Sequence, residues 1–144
     1  MSKPDYYHDK YHVLSEKRLM YPLKDGVAIG REPSEEGVPI VKTNVPRIIV
    51  HHSLSGFEFG YGGSGPADLA LNIIEWVLRE EGHEEPDDYI IPLKQGHCFR
   101  LTYMLYQDFK WKFIATIPRD RGTIIPYKTI VKWIEKEKER FRNV

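Results

Sequence analysis

One stretch constrains the fold more than any other. Residues 66–81 read PADLALNIIEWVLREE, with Pro66 suited to a first helical position and Gly82 to a stop. Ala67, Leu69, Ala70, Leu71, Ile73, Ile74, Trp76, Val77 and Leu78 cover most of a helical circumference. The polar residues Asp68, Asn72, Glu75 and Arg79 fall at helical spacing on a single stripe. A helix apolar nearly all round packs on more than one side. The pattern therefore predicts a central, buried helix over 66–81, with Asp68 placed to cap its N-terminus.

The segments before it are short and β-like. Residues 18–23 and 27–31 flank Lys24-Asp25-Gly26, and Asp-Gly between apolar runs signals a hairpin. A further strand is expected over 38–43. The strongest strand propensity lies over 47–52, where Ile48, Ile49 and Val50 are β-branched. Alternation there puts Ile48, Val50 and His52 on one face and Arg47, Ile49 and His51 on the other. Residues 56–61 read as its hairpin partner. Beyond the helix, 82–92 is an acidic turn, and 98–114 carries both periodicities, its length favouring a helix. Residues 127–142 form an amphipathic helix with Ile130, Ile134 and Phe141 on one stripe. The expected fold is α+β: a single compact domain over residues 1–144, a small antiparallel sheet of N-terminal hairpins packed on the central helix, and one or two C-terminal helices.

Composition narrows the function classes. With 21 Lys+Arg against 21 Asp+Glu the formal net charge is zero, which disfavours nucleic-acid binding. No run approaches the ~18 apolar residues of a membrane span, and residues 1–12 lack the apolar core of a signal peptide. One cysteine, Cys98, cannot form an internal disulfide, so a reducing cytoplasm is the expected compartment. Cys98 beside His97 invites a nucleophile reading, yet a lone cysteine behaves more often as a small core hydrophobe. The Lys, Glu and Ile content hints at a thermophilic source.

The chemistry-bearing stretch is His51-His52-Ser53-Leu54-Ser55-Gly56-Phe57-Glu58-Phe59-Gly60-Tyr61-Gly62-Gly63-Ser64-Gly65. Five of the 11 glycines fall between Gly56 and Gly65, and clustered glycine needs a local reason, either turn geometry or close approach of a ligand. A glycine-rich turn opening into a helix presents unpaired amides at the positive end of the helix dipole, a site for phosphate or carboxylate without metal. Gly60-Tyr61-Gly62-Gly63-Ser64-Gly65 fits G-x-G-x-x-G, but several β-like runs precede it, and Asp87 and Asp88 come before the next apolar run and not after it. No Gly-Lys-Ser/Thr of a phosphate-binding P-loop occurs. Gly62-Gly63-Ser64-Gly65-Pro66 also breaks the serine-hydrolase elbow, with Pro66 where its last glycine belongs.

Three function classes stay open. In the first, the backbone from Gly60 to Gly65, with Ser53, Ser55, Tyr61 and Ser64 as hydrogen-bonding partners, binds an anionic small molecule, a nucleotide in the leading reading. In the second, a phosphoesterase- or transferase-like enzyme uses His52 as general acid/base and Glu58 as its carboxylate partner. In the third, the motif is structural and the chain is a protein-interaction module or homo-oligomer, with which nine tyrosines are compatible. No cofactor is implied. His8 and His12 have the spacing of a helical metal pair without a further ligand set, and His51 and His52 point apart on a strand, so no metal site is expected.

Residues 52–71 resemble a family of small bacterial, archaeal and viral proteins, a domain of unknown function. Its signature reads His-Ser-Pro-Thr-Gly-Phe-Glu-Trp-Gly-Tyr-Gly-Gly-Ser-Gly-Pro-Ala-x-Leu-Ala-Leu. The chain departs from it at Leu54, Ser55 and Phe59, where the family has Pro, Thr and Trp. A weaker similarity extends over 106–118. The resemblance implies membership without a mechanism and, by analogy with the viral members, an accessory role.

Overall fold

The structure, a computed structural model, describes residues 21–32, 35, 37, 39–53 and 56–141. In chain order the elements are β1 (Gly26–Glu32), β2 (Ile40–Thr43), α1 (Ser64–Glu80), a 3₁₀ turn (Asp87–Tyr89), β3 (Ile91–Pro92), β4 (His97–Cys98) and α2 (Arg100–Phe109). A π-helical turn (Lys110–Ile114) extends α2; β5 (Thr123–Pro126), α3 (Tyr127–Glu137) and a 3₁₀ turn (Lys138–Phe141) follow. The arrangement is α+β, and no helix among the described residues is long and apolar enough to cross a membrane.

The predicted central helix is α1, and its apolar circumference explains its place. Leu69, Ile73, Ile74 and Val77 are fully enclosed, each contributing about 1.5–3 kcal/mol through burial. The helix begins two residues before the expected Pro66 and ends one before Glu81. The ambiguous run over 98–114 is mostly helical, as its length implied. α3 buries the expected Ile130 and Ile134.

The sheet differs from the hairpin reading. β1 lies between β2 and β5, antiparallel to both, with Ile29 opposite Thr43 on one side and Gly26 opposite Pro126 on the other. Among the described residues, the Asp25-Gly26 turn leads into β1 with no strand before it. Asp25 N donates to Pro22 O and Gly26 N to Leu23 O, while residues 18–20 lie outside the described residues. The edge of β1 opposite β2 pairs with β5, from the far end of the chain. Near the end of β2, buried Asn44 substitutes for ladder pairing: its Oδ1 accepts from Ala28 N at 2.9 Å and its Nδ2 donates to Gly26 O at 2.9 Å.

The larger correction concerns residues 47–52. They are not a strand of the sheet, and 56–61 does not pair with them. Their link to other extended chain is a single bridge from Val50 to Gln95, beside the β3–β4 pair. The polar stripe of α1 takes over the role of a neighbouring strand. Asn72 Oδ1 accepts from Ile48 N and Ile49 N at 2.8 and 3.0 Å, and Asn72 Nδ2 returns a bond to Ile49 O at 3.0 Å. Asp68 gathers the amides of His51, His52 and Ser53 at 3.3, 2.8 and 2.9 Å. Three successive amides converging on one carboxylate require a bend, so the alternation of a strand is lost. Asp68 is thus no N-cap; it is fully buried and organises the chain beside the helix.

Candidate functional site

The glycine run connects this bend to α1. Gly60 has φ +88°, a conformation that favours glycine, and its amide donates to Ile114 O at 3.0 Å. A Cβ at Gly65 would lie 2.7 Å from Glu58 Cβ, so this buried glycine lets Glu58 pack against the first turn. Gly62 and Gly63 do not have positive φ; space is what they supply. A Cβ on Gly62 would lie 2.1 Å from Trp111 Cη2, and one on Gly63 would lie 2.3 Å from Tyr61 Cε2. Each of these two glycines seats an aromatic ring.

The mouth of α1 carries no side-chain cap at Gly63. Ala67 N closes the first turn on Gly63 O at 3.1 Å. Among the described residues, the amides of Gly62, Gly63 and Ser64 have no hydrogen-bond acceptor, and Ser64 is exposed. Lys110, only 6% exposed, reaches this turn from the π-helical segment and donates to Gly62 O at 3.2 Å. Its ammonium also lies 4.3 Å from the centroid of Trp111 and meets no carboxylate among the described residues. Burial lowers its pKa from the ordinary lysine value. The trans peptide aims Gly63 N–H away from the carbonyl that Lys110 holds, so the ammonium and that amide lie on opposite sides of the Gly62–Gly63 peptide.

His52 lies close enough to Lys110 for the cation to act on it. Its Nε2 shares a 2.7 Å hydrogen bond with Tyr106 Oη, to which Gln107 Nε2 donates at 3.2 Å. Desolvation, then His51, lowers the His52 pKa, and Asp68 works weakly in the opposite direction. Burial raises the Tyr106 pKa. The His51 and His52 rings are not on opposite faces: their centroids are 4.4 Å apart, because the Asp68-centred bend turns both to one side. Tyr103 Oη reaches His51 Nε2 at 3.4 Å. Tyr103, Tyr106, Gln107 and Lys110 were missed in the sequence reading. Their mutual spacing on one face of a helix was the available signal.

Glu58 packs on the first turn of α1 and is not paired with His52. Arg31 from β1 holds its carboxylate in two bonds of 2.8 and 3.1 Å, and Arg31 Nε donates to Arg119 O at 2.8 Å. Arg119 in turn sits 5.0 Å from the centroid of Tyr61, over a cleft of about 540 Å³. Ser53 is buried, and its backbone carries its visible role: the amide goes to Asp68 and the carbonyl accepts from Arg47 Nη2 at 2.9 Å. Ser55, His8 and His12 lie outside the described residues. Among the described residues no group of three or more His, Cys, Asp or Glu is placed to hold a metal ion. Cys98 is fully buried in β4, and burial pushes its thiol up to about 12, which suits a core residue and not a nucleophile.

The Asp68 bend, the Glu58–Arg31 pair and the ring-seating glycines give this run a physical purpose. Residues 23–88 match the model of DUF6166, a family of unknown function. The matched span includes the whole run from His52 to Leu71, in agreement with the resemblance read there. The DUF6166 span ends before α2, so Tyr106, Lys110 and Trp111 reach the glycine turn from outside it. No curated protein and no solved structure matches the chain.

Proposed function

We propose that the chain binds a small anionic molecule, through a phosphate or carboxylate group, at the mouth of α1. The observation that carries this reading is the open helix start. The amides of Gly62, Gly63 and Ser64 lack acceptors among the described residues, and the buried charge of Lys110, held at the Gly62 carbonyl, acts on the turn from the other side of the Gly62–Gly63 peptide. Unpaired amides at the positive end of a 17-residue helix attract negative charge. Asp68, which at the helix end would repel an anion, instead faces the bend and is saturated by three amides. Ser64, exposed in the first turn, supplies a hydroxyl at the rim. An acid–base pair of His52 and Glu58 draws no support, since Arg31 occupies the Glu58 carboxylate.

Titration calorimetry and thermal melts with inorganic phosphate and ribose 5-phosphate test the reading. For a Kd of about 1 mM, about 10 mM ligand stabilises the fold by about 1.4 kcal/mol. Lys110→Met, which keeps the buried stem, is expected to weaken binding about fivefold to tenfold, the size of one unit charge acting near the surface. Absence of saturable binding of either compound at that concentration overturns the proposal.

A further inference from the structure

Trp111 is 58% exposed, more than any other large apolar side chain described. An indole is among the largest apolar surfaces a chain can bury, so leaving it in water forgoes a substantial contribution to the core. The ring is nevertheless held in place. Gly62, whose φ requires no glycine, clears the space against Cη2, and the Lys110 ammonium sits over the ring. The backbone beneath is anchored too. The π-helical turn carries Trp111, and its neighbours Phe109 and Phe113 pack on Trp133 of α3 at centroid distances of 5.3 and 6.0 Å. Turns of this kind inside α-helices recur at functional sites because the extra residue redirects a side chain. A glycine spent on seating a ring that stays in solvent has no use in the core; it has one if the open part of the ring is a contact surface.

Resting on the anion reading above, we propose that the ligand is a mononucleotide whose base stacks on Trp111 while its phosphate lies at the mouth of α1. Planar bases stack on aromatic faces without regard to sequence, and a neighbouring cation complements the phosphate. The formal net charge of zero argues for a free nucleotide over a nucleic-acid strand.

The experiment compares AMP, ribose 5-phosphate and inorganic phosphate on the wild-type chain, Trp111→Leu and Trp111→Phe. Trp111→Phe keeps a smaller aromatic face at the same position, and thermal melts establish that both variants fold. AMP is expected to bind the wild type about tenfold or more tighter than ribose 5-phosphate, an advantage lost in Trp111→Leu and partly kept in Trp111→Phe, while ribose 5-phosphate binding stays within about twofold in both. AMP is also expected to quench indole fluorescence in the wild type and not in Trp111→Leu. Equal binding of AMP and ribose 5-phosphate, or an AMP preference surviving in Trp111→Leu, overturns the nucleotide inference and leaves the anion reading standing. Failure of all three compounds to bind overturns both. Tighter binding of a short thymidine oligonucleotide than of AMP at physiological salt assigns the ring to a strand and likewise overturns the inference.

Discussion

The starts of α1 and α2 solve the same problem in opposite ways. At α2, carboxylates occupy the orphan amides: Glu75 Oε1 accepts from Phe99 N at 3.0 Å, and Glu85 accepts from Arg100 N and Leu101 N at 2.8 and 3.1 Å. Glu75 also accepts from Thr102 Oγ1 at 2.8 Å and Arg79 Nε at 2.7 Å, so the seal is built into the core. At α1 no carboxylate takes up the amides: Glu58, packed on Gly65 in the first turn, has its carboxylate held by Arg31. The nearest acidic residue on the helix, Asp68, is turned toward the 51–53 bend, and the cation Lys110 approaches instead. A helix start needs some partner for its amides. One was given protein oxygens; the other was left to water or to a ligand.

The largest expected effect probes what keeps Asp68 away from the α1 mouth. Asp68→Ala strands three amides and should cost about 3 kcal/mol or more in chemical denaturation. A loss under about 1 kcal/mol would mean that the bend is held by other contacts and that the carboxylate was free to serve the helix. Next in size, Glu85→Ala removes the shared cap of α2 and should cost about 1–2 kcal/mol, with faster amide exchange at Arg100 and Leu101. If exchange there is unchanged, α2 is no more sealed than α1 and the contrast collapses.

A smaller and opposite effect is expected where the mouth is open. Ser64→Asp places a carboxylate in the first turn of α1 and should stabilise the fold by about 0.5 kcal/mol while abolishing phosphate binding. Stabilisation without loss of binding would move the anion site elsewhere. The smallest effect is on pH dependence. The His52 pKa is depressed in the folded chain, so below about 6.5 the unfolded chain takes up more protons at this residue. The stability it contributes is complete above that pH and is lost as pH falls through the folded value. His52→Asn should flatten that part of the stability–pH curve, and an unchanged slope would place the histidine in ordinary solvent.

How much of this could be read in the chain depends on how far apart the interacting residues lie. The helix over 66–81 was legible because its apolar circumference and its end signals are local. The glycine turn was legible as a special region for the same reason. The stripe of Asp68, Asn72 and Glu75 was visible, but its purpose was not, since the amides it serves lie 15 to 24 positions away. High β propensity in Ile48–Val50 marked burial correctly and hydrogen bonding wrongly, because a helix side chain can satisfy an extended backbone as well as a strand can. The pairing of His52 with Glu58, drawn from closeness in the chain, gave way to Tyr106 and Arg31.

By itself, the amino-acid order determined an α+β chain wrapped on a nearly all-apolar helix with a glycine-rich turn at its start, since propensity, periodicity and steric allowance act between near neighbours. Tertiary structure decided which carboxylates meet which amides, that Lys110 and Trp111 come to Gly62 across 48 positions or more, and that one helix start is closed and the other open. Those outcomes follow from burial: once α1 is enclosed, every polar group near it must find a partner in space, and distance along the chain no longer selects it.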